Sequence, residues 1–316
     1  MSVPLLETRG LKKYFKVPRG QLHAVDDVNL VINQNETLGV VGESGCGKST
    51  LGRVILGLLD STGGEVLYNG ESIFNAHGRK KQNIYTEMQM IFQDPFTSLN
   101  PRLSIRDLIA EPIIVRRLMN NRNDLKERVL ELMDVVGLSR RYVNTYPHEL
   151  DGGRRQRVGI ARALALNPNF IVCDEPVSAL DVSIQAQILN LIMDLQDQKG
   201  LAYMFITHNL LVVQHISTNI MVMYMGQVVE YSEKRKLFEK QYHPYSQALL
   251  AAIPIPDIHH GRERAILTGE VSNPINPKPG CRFAPRCKYA TAKCTGEEIP
   301  LLEVEPGRKV ACTLYI

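Results

Sequence analysis

The chain has 316 residues, enough for one large domain with an appendage or for two domains. With 44% hydrophobic and 22% charged residues and a net charge of +4, it reads as an ordinary globular protein, and the charge is too small to argue for nucleic acid. No apolar run approaches the roughly 18–20 residues that span a bilayer. The start, MSVPLLETRGLKKYF, has no signal-peptide pattern, so the cytosol is the expected compartment.

Residues 1–41 read as β-rich and end in the apolar run Thr37-Leu38-Gly39-Val40-Val41. A helix is expected over about 48–58, with Leu51, Val54, Ile55 and Leu58 on one face. Gly63-Gly64 and Asn69-Gly70 punctuate a short hairpin. A helical block follows over about 104–165, broken at Pro112 and Pro147. Residues 170–173 form a short apolar run suited to a buried parallel strand. The next helix is expected over 183–199, capped by Ser183 and stopped by Gly200, with Ile184, Ile188, Leu191, Ile192 and Leu195 on one face. A strand at 202–206 and a hairpin near Gly226 close this part. From about 233 the prolines at 244, 254, 256, 274, 277, 279 and 285 mark a change of character. The expected organisation is a domain over 1–232, with a helical subdomain over about 100–165, and an extension over 233–316.

The stretch Gly42-Glu43-Ser44-Gly45-Cys46-Gly47-Lys48-Ser49, followed by Thr50, matches the phosphate-loop pattern in full. Its glycines let backbone N–H groups turn toward phosphate oxygens, and the following helix points its positive end at them. Lys48 is expected to hold the β- and γ-phosphates and Ser49 a Mg²⁺ ion. The run ending in Asp174-Glu175 supplies a carboxylate that orients Mg²⁺ and a second that polarises an attacking water. Strands alternating with helices after such a loop make an α/β core with the nucleotide at the strand carboxyl ends.

The order of these motifs resembles the ATP-binding cassette family, the ATPase subunits of ABC transporters. The phosphate loop is followed by Gln93, then Leu150-Asp151-Gly152-Gly153, Asp174-Glu175, Ser178-Ala179-Leu180-Asp181 and His208. The resemblance implies an α/β ABC-type P-loop ATPase core with a β-subdomain, a helical subdomain and a small Cys-containing C-terminal extension. It also implies roles: Tyr14 stacks on adenine, Gln93 reaches Mg²⁺ and the attacking water, Asp181 couples two ATP sites, and His208 touches the γ-phosphate. In this family two cassettes sandwich ATP, so Asp151, Gly152 and Gly153 would serve the nucleotide of a partner.

Here the sequence departs from the family's Leu-Ser-Gly-Gly-Gln, with Asp151 in place of serine and Arg154 in place of glutamine. A carboxylate about 4 Å from a phosphate charge costs on the order of 4 kcal/mol at an effective dielectric near 20. Asp151 could instead turn away and cap the following helix. The departure leads to the expectation of a heterodimer with one fully competent site.

The tail narrows the family further. His243-Pro244-Tyr245 and the segment Cys281-Arg-Phe-Ala-Pro-Arg-Cys287 resemble the C-terminal extension of oligopeptide/dipeptide importer ATPases. The implied partners are a second ABC ATPase, two transmembrane permease subunits and, indirectly, an extracytoplasmic peptide-binding protein, with the chain on the cytoplasmic membrane face and no nucleic acid bound. Nickel and other small-solute importers share the tail, and a soluble non-transport ABC protein is the reading from another class. Cys281, Cys287, Cys294 and Cys312, spaced C-x5-C-x6-C-x17-C, suit a [4Fe–4S] cluster, with Zn²⁺ or another metal, or free or disulfide-bonded cysteines, as the alternatives.

Overall fold

A computed structural model describes residues 3–252 and 274–316, so Pro254 and Pro256 lie outside the described residues. The chain divides into two compact units, one formed by Met1–Phe74 with Phe205–Ile316 and the other by Asn75–Met204. The whole tail from 274 onward therefore shares a unit with the phosphate loop.

In the first unit, strand Leu6–Val17 pairs antiparallel with Gly20–Ile32 and with Gly63–Tyr68. Alternation buries Leu6, Thr8, Val28, Leu30 and Ile32 on one face. Asn69 and Gly70 both adopt positive φ, as a tight two-residue hairpin turn requires, and return the chain to Glu71–Ser72. A second sheet places Thr37–Val41 parallel to Asn219–Tyr224. That strand pairs antiparallel with Gln227–Glu233, which in turn pairs with Arg308–Val310 of the tail. All five residues of Thr37–Val41 are buried, which explains why its pattern is a continuous apolar run rather than an alternation.

Helix Lys48–Ile55 is shorter than the apolar spacing suggests. Gly57 adopts φ 66°, which terminates the helix and leaves Leu58 outside it and 55% exposed. The sequence pattern correctly assigned Leu51, Val54 and Ile55 to the core.

In the second unit, Met88–Ile91 runs parallel to Phe170–Asp174, with Ile91 opposite Cys173. The helical block consists of Ile105–Val115, Arg122–Val135 and Gly152–Leu164, with short 3₁₀ turns at Arg140–Tyr142 and Pro147–Glu149. Pro112 lies inside its helix instead of breaking it. An interior proline costs about 3 kcal/mol. Ile105, Leu108, Ile109 and Ile113 of the same helix are buried, each contributing roughly 1.5–3 kcal/mol, so packing outweighs that cost. Helix Val182–Lys199 begins one residue before the expected cap, with Asp181 at the N-cap position, and ends at Gly200 with φ 65°. No helix among the described residues is long and apolar enough to cross a membrane.

Candidate functional site

The phosphate loop joins the buried strand Thr37–Val41 to helix Lys48–Ile55. Gly47, the N-cap, has φ 105°, and a Cβ there would lie 1.9 Å from the Ala24 carbonyl oxygen, so no other residue fits. Gly42 is equally constrained, since its added Cβ would meet the Met223 carbonyl oxygen at 2.2 Å. No side chain caps this helix, and no acidic residue lies in its first turn. Its first N–H groups are therefore not satisfied by a side-chain cap, the condition under which a helix start accepts an anion. Ser44 and Gly45 are exposed, while Lys48 is 5% exposed.

The Lys48 ammonium donates to the carbonyl oxygens of Gly42 at 2.8 Å and Glu43 at 2.9 Å. The loop thus curls around a fixed cation. Cys46 is buried beside it, and burial pushes its thiol above the ordinary value, so the sulfur stays neutral. Ser49 and Thr50, in the first turn, are half-buried.

His208 is exposed at the turn between strand Ala202–Ile206 and helix Leu210–Ile216. Asn209 caps that helix by accepting from the Leu211 N–H at 3.0 Å, and its own N–H donates to Thr207 Oγ1 at 3.0 Å. Tyr14 stacks on His23 with ring centroids 3.8 Å apart, and its hydroxyl donates to Asp26. His23 was not singled out in the sequence, because a histidine 9 positions away on a neighbouring strand carries no local signal.

In the second unit the two parallel strands Met88–Ile91 and Phe170–Asp174 release their chemistry at the same ends. Asp174 is 1% exposed, and Glu175, directly after it, adopts φ 45°, a backbone conformation uncommon outside glycine. Gln93 Nε2 donates to Glu175 Oε2 at 3.0 Å, so residues 82 positions apart meet at their side chains. Ser178 donates to the Glu175 carbonyl at 3.1 Å and tightens the turn that leads to Asp181, which is exposed.

The Gly-Gly element opens helix Gly152–Leu164, and Asp151 is its N-cap. Asp151 Oδ1 accepts from the Arg154 N–H at 2.8 Å, while Oδ2 pairs with the Arg154 guanidinium at 2.8 Å. The departing residue thus engages its own helix and its own neighbouring cation. Gly152 and Gly153 admit a close approach of the following segment: a Cβ at Gly153 would lie 2.6 Å from Ile184, and one at Gly152 would lie 3.1 Å from Leu180.

In the tail, His243 caps helix Pro244–Ala251 by accepting from the Tyr245 N–H at 3.0 Å, with Pro244 at the first helical position. Burial holds the His243 pKa down to about 3, consistent with a neutral ring that accepts. The Tyr245 hydroxyl accepts from the Glu43 N–H at 2.8 Å, giving the His-Pro-Tyr run a physical purpose at the phosphate loop. Cys281, Cys287, Cys294 and Cys312 are free and line one cavity with His243 and Phe283. Burial pushes the Cys281 thiol up to about 11 and raises that of Cys312. Cys294 Sγ is 3.2 Å from Thr313 Oγ1. Among the described residues no three His, Cys, Asp or Glu side chains stand close enough to hold a metal ion.

Residues 25–178 match the ABC transporter family, and residues 229–294 match the oligopeptide/dipeptide transporter C-terminal region. The chain is 48% identical, over 99% of its length and 96% of the relative's, to the putative oligopeptide transport ATP-binding protein YkfD of Bacillus subtilis. It is 45% identical, over 98% of its length and 97% of the relative's, to the dipeptide transport ATP-binding protein DppF of Haemophilus influenzae. Among solved structures it resembles the dimeric bacterial ABC transporter cassette MJ0796, with a TM-score of 0.67 and 29% identity over 73% of this chain and 99% of that one.

Proposed function

Because this chain belongs to the ABC transporter ATPase family and carries the oligopeptide/dipeptide-type C-terminal region, we propose that it works as the motor of a peptide importer. It is an ATP-binding and ATP-hydrolysing subunit whose turnover powers uptake of di- or oligopeptides. The observation that carries this reading is the phosphate loop, folded around the buried Lys48 ammonium and leading into a helix start that no side chain caps.

Within that frame Gly42, Ser44, Gly45, Cys46, Gly47, Lys48, Ser49 and Thr50 bind the polyphosphate, and Tyr14 receives the adenine. On the family's arrangement Ser49, Gln93 and Asp174 would hold Mg²⁺, which would neutralise charge on the phosphates. Glu175 polarises the attacking water; the Gln93 amide bonded to it supports a joint role in placing that water. His208 responds to the γ-phosphate, and Asp181 couples paired sites.

The chain pairs with a second ABC ATPase of different sequence. Its own phosphate loop, Asp174, Glu175 and His208 are of the intact type, whereas its signature carries Asp151. The fully competent site uses this chain's catalytic residues and the partner's signature. Two transmembrane permeases anchor the pair at the cytoplasmic membrane face, and an extracytoplasmic peptide-binding protein delivers cargo.

The four free thiols on one cavity would supply the donors of a [4Fe–4S] cluster, with Zn²⁺ as the alternative. Either would require the sulfurs to draw closer than they stand. When bound, such a group cross-links a tail that has little core of its own. Anaerobic purification with iron, sulfide and zinc assays tests it: about four iron and four sulfide per chain are expected for the cluster, and metal-free protein retires the reading.

Reconstitution in proteoliposomes with its permeases and binding protein tests the function as a whole. Uptake of a labelled tripeptide that requires ATP and fails with Lys48→Ala is expected. Nickel uptake without peptide uptake would move the cargo to the alternative, and co-purification with nucleic acid in place of permeases would overturn the transport reading.

A further inference from the structure

Two arginines of the cysteine-bracketed turn 281–287 reach residues at the nucleotide end of their own unit. The turn is held by backbone bonds from the Ala284 N–H to Cys281 at 3.0 Å, from Arg286 to Phe283 at 2.9 Å and from Cys287 to Ala284 at 3.2 Å. Phe283 anchors it, 2% exposed, with its ring packed at 5.3 Å from Tyr224 and 5.4 Å from Tyr245.

From this anchor Arg286 makes a two-point ion pair with Glu43, the second residue of the phosphate loop, at 2.7 and 3.0 Å. The pair is largely out of water, the Arg286 side chain being 7% and that of Glu43 22% exposed. Bonding to Glu43 raises the Arg286 pKa further above its already high value. Arg282 bonds to Asp26 and to the Met225 carbonyl oxygen. Asp26 is the acceptor for the Tyr14 hydroxyl and lies 3.1 Å from His23 Nδ1. Burial alone would raise the Asp26 pKa, but bonds from Tyr14, His23 and Arg282 outweigh it and hold the carboxyl below its ordinary value.

We propose that Arg286 and Arg282 are positioning residues for ATP, through which the C-terminal extension sets the nucleotide affinity of the phosphate loop. The inference rests on the ATP reading above and adds a control element to it. The bland alternative is that both pairs only fasten the tail down. Two features separate the readings. First, the Glu43 carbonyl is one of the two acceptors that aim the Lys48 ammonium, so Arg286 fixes that aim through the Glu43 side chain. A planar guanidinium bonded at two points defines an orientation that a single contact does not. Second, Glu43 without Arg286 would leave an uncompensated carboxylate in a loop built to receive a polyphosphate, and like charges repel most where water is scarce. Arg282 acts on the adenine side, by holding Asp26 against the Tyr14 hydroxyl.

The test uses equilibrium binding of MgATP to the purified full-length chain and steady-state hydrolysis by the assembled transporter that contains it, with thermal melting as the folding control. Arg286→Met is expected to weaken MgATP binding about tenfold and to raise KM with kcat retained. Arg286→Lys keeps the charge but loses the two-point contact, and a loss of about threefold is expected. Adding Glu43→Gln to Arg286→Met removes the orphaned charge and is expected to recover the affinity to about threefold below wild type, the share that belongs to the two-point contact. Arg282→Met is expected to weaken binding of ATP and adenosine alike, by about threefold.

A merely structural role would lower kcat through a smaller active fraction and leave KM unmoved; that result overturns the proposal, as does MgATP affinity within twofold of wild type in folded Arg286→Met and Arg286→Lys. Should Arg286→Met fail to fold, Arg286→Lys and the double variant decide the matter by the same criteria. Wild-type protein that binds no MgATP, or binds it as tightly with Lys48→Ala, would overturn the ATP reading itself and be told apart from failure of the arginine variants alone.

Discussion

Two glycine-containing motifs in this chain each open a helix, and their helix starts are finished differently. At Lys48–Ile55 the cap is Gly47, in the left-handed region, with no side-chain bond and no acid in the first turn. At Gly152–Leu164 the cap is Asp151, which accepts from the Arg154 N–H and pairs with the Arg154 guanidinium. The first start leaves its positive end available to an anion, and the second has brought its own. A helix start can be a binding element or a satisfied structural joint, and one side chain decides which. On the proposed function, the open start serves this chain's own ATP and the self-capped one the partner's.

The difference between the two starts, and the chemistry around each, is open to measurement. The largest effect is expected from Glu175→Gln, which keeps an acceptor for the Gln93 amide but cannot polarise water. Turnover should fall by about 10²–10⁴ with MgATP binding retained, as read by single-turnover hydrolysis beside equilibrium binding. Lys48→Ala strikes the open loop directly. Loss of a charge-assisted bond to phosphate of about 3 kcal/mol predicts affinity lowered roughly 100-fold by calorimetry.

The prop beneath the open loop should be pH-sensitive. His243 has its pKa lowered to about 3 by burial, so between about 6.5 and 3 the unfolded chain takes up a proton that the folded chain refuses. Stability is therefore lost as pH falls through that window. His243→Asn keeps an acceptor for the Tyr245 N–H and removes the titration. Between pH 7 and 5 wild type should lose about 2 kcal/mol more than the variant in urea unfolding. Glu230, which accepts from the His243 N–H at 2.9 Å, is present in both proteins and cancels in the difference. The smallest effect belongs to the self-capped start. Asp151→Ala should cost about 1 kcal/mol, whereas Asp151→Ser, which can still cap, should stay within about 0.5 kcal/mol.

What the sequence made legible was local. The phosphate loop, the strand ending at Asp174 and the cap potential of Asp151 each occupy a few consecutive residues whose chemistry is fixed by spacing. Helix ends were less legible, because the apolar spacing that reached Leu58 says nothing of the left-handed Gly57 that ends the helix at Ile55. Contacts closed by the fold were not legible at all. Glu43 and Arg286 are separated by 243 positions, and no periodicity connects them. The same holds for Tyr245 and the Glu43 N–H, although the His-Pro-Tyr run did mark the place where that contact originates. The cysteine spacing led to the expectation of four ligands; the fold brings all four to one cavity without bringing them to ligand distances.

The most direct test of the unequal-pair account is Asp151→Ser in the assembled transporter, read as ATP turnover and peptide uptake per complex. Serine retains the cap and removes the carboxylate that the proposed pairing turns toward the partner's nucleotide; because Arg154 already offsets part of that charge, turnover is expected to rise only severalfold. Turnover and uptake unchanged by the substitution would contradict the account, because Asp151 would then not be what distinguishes the two sites.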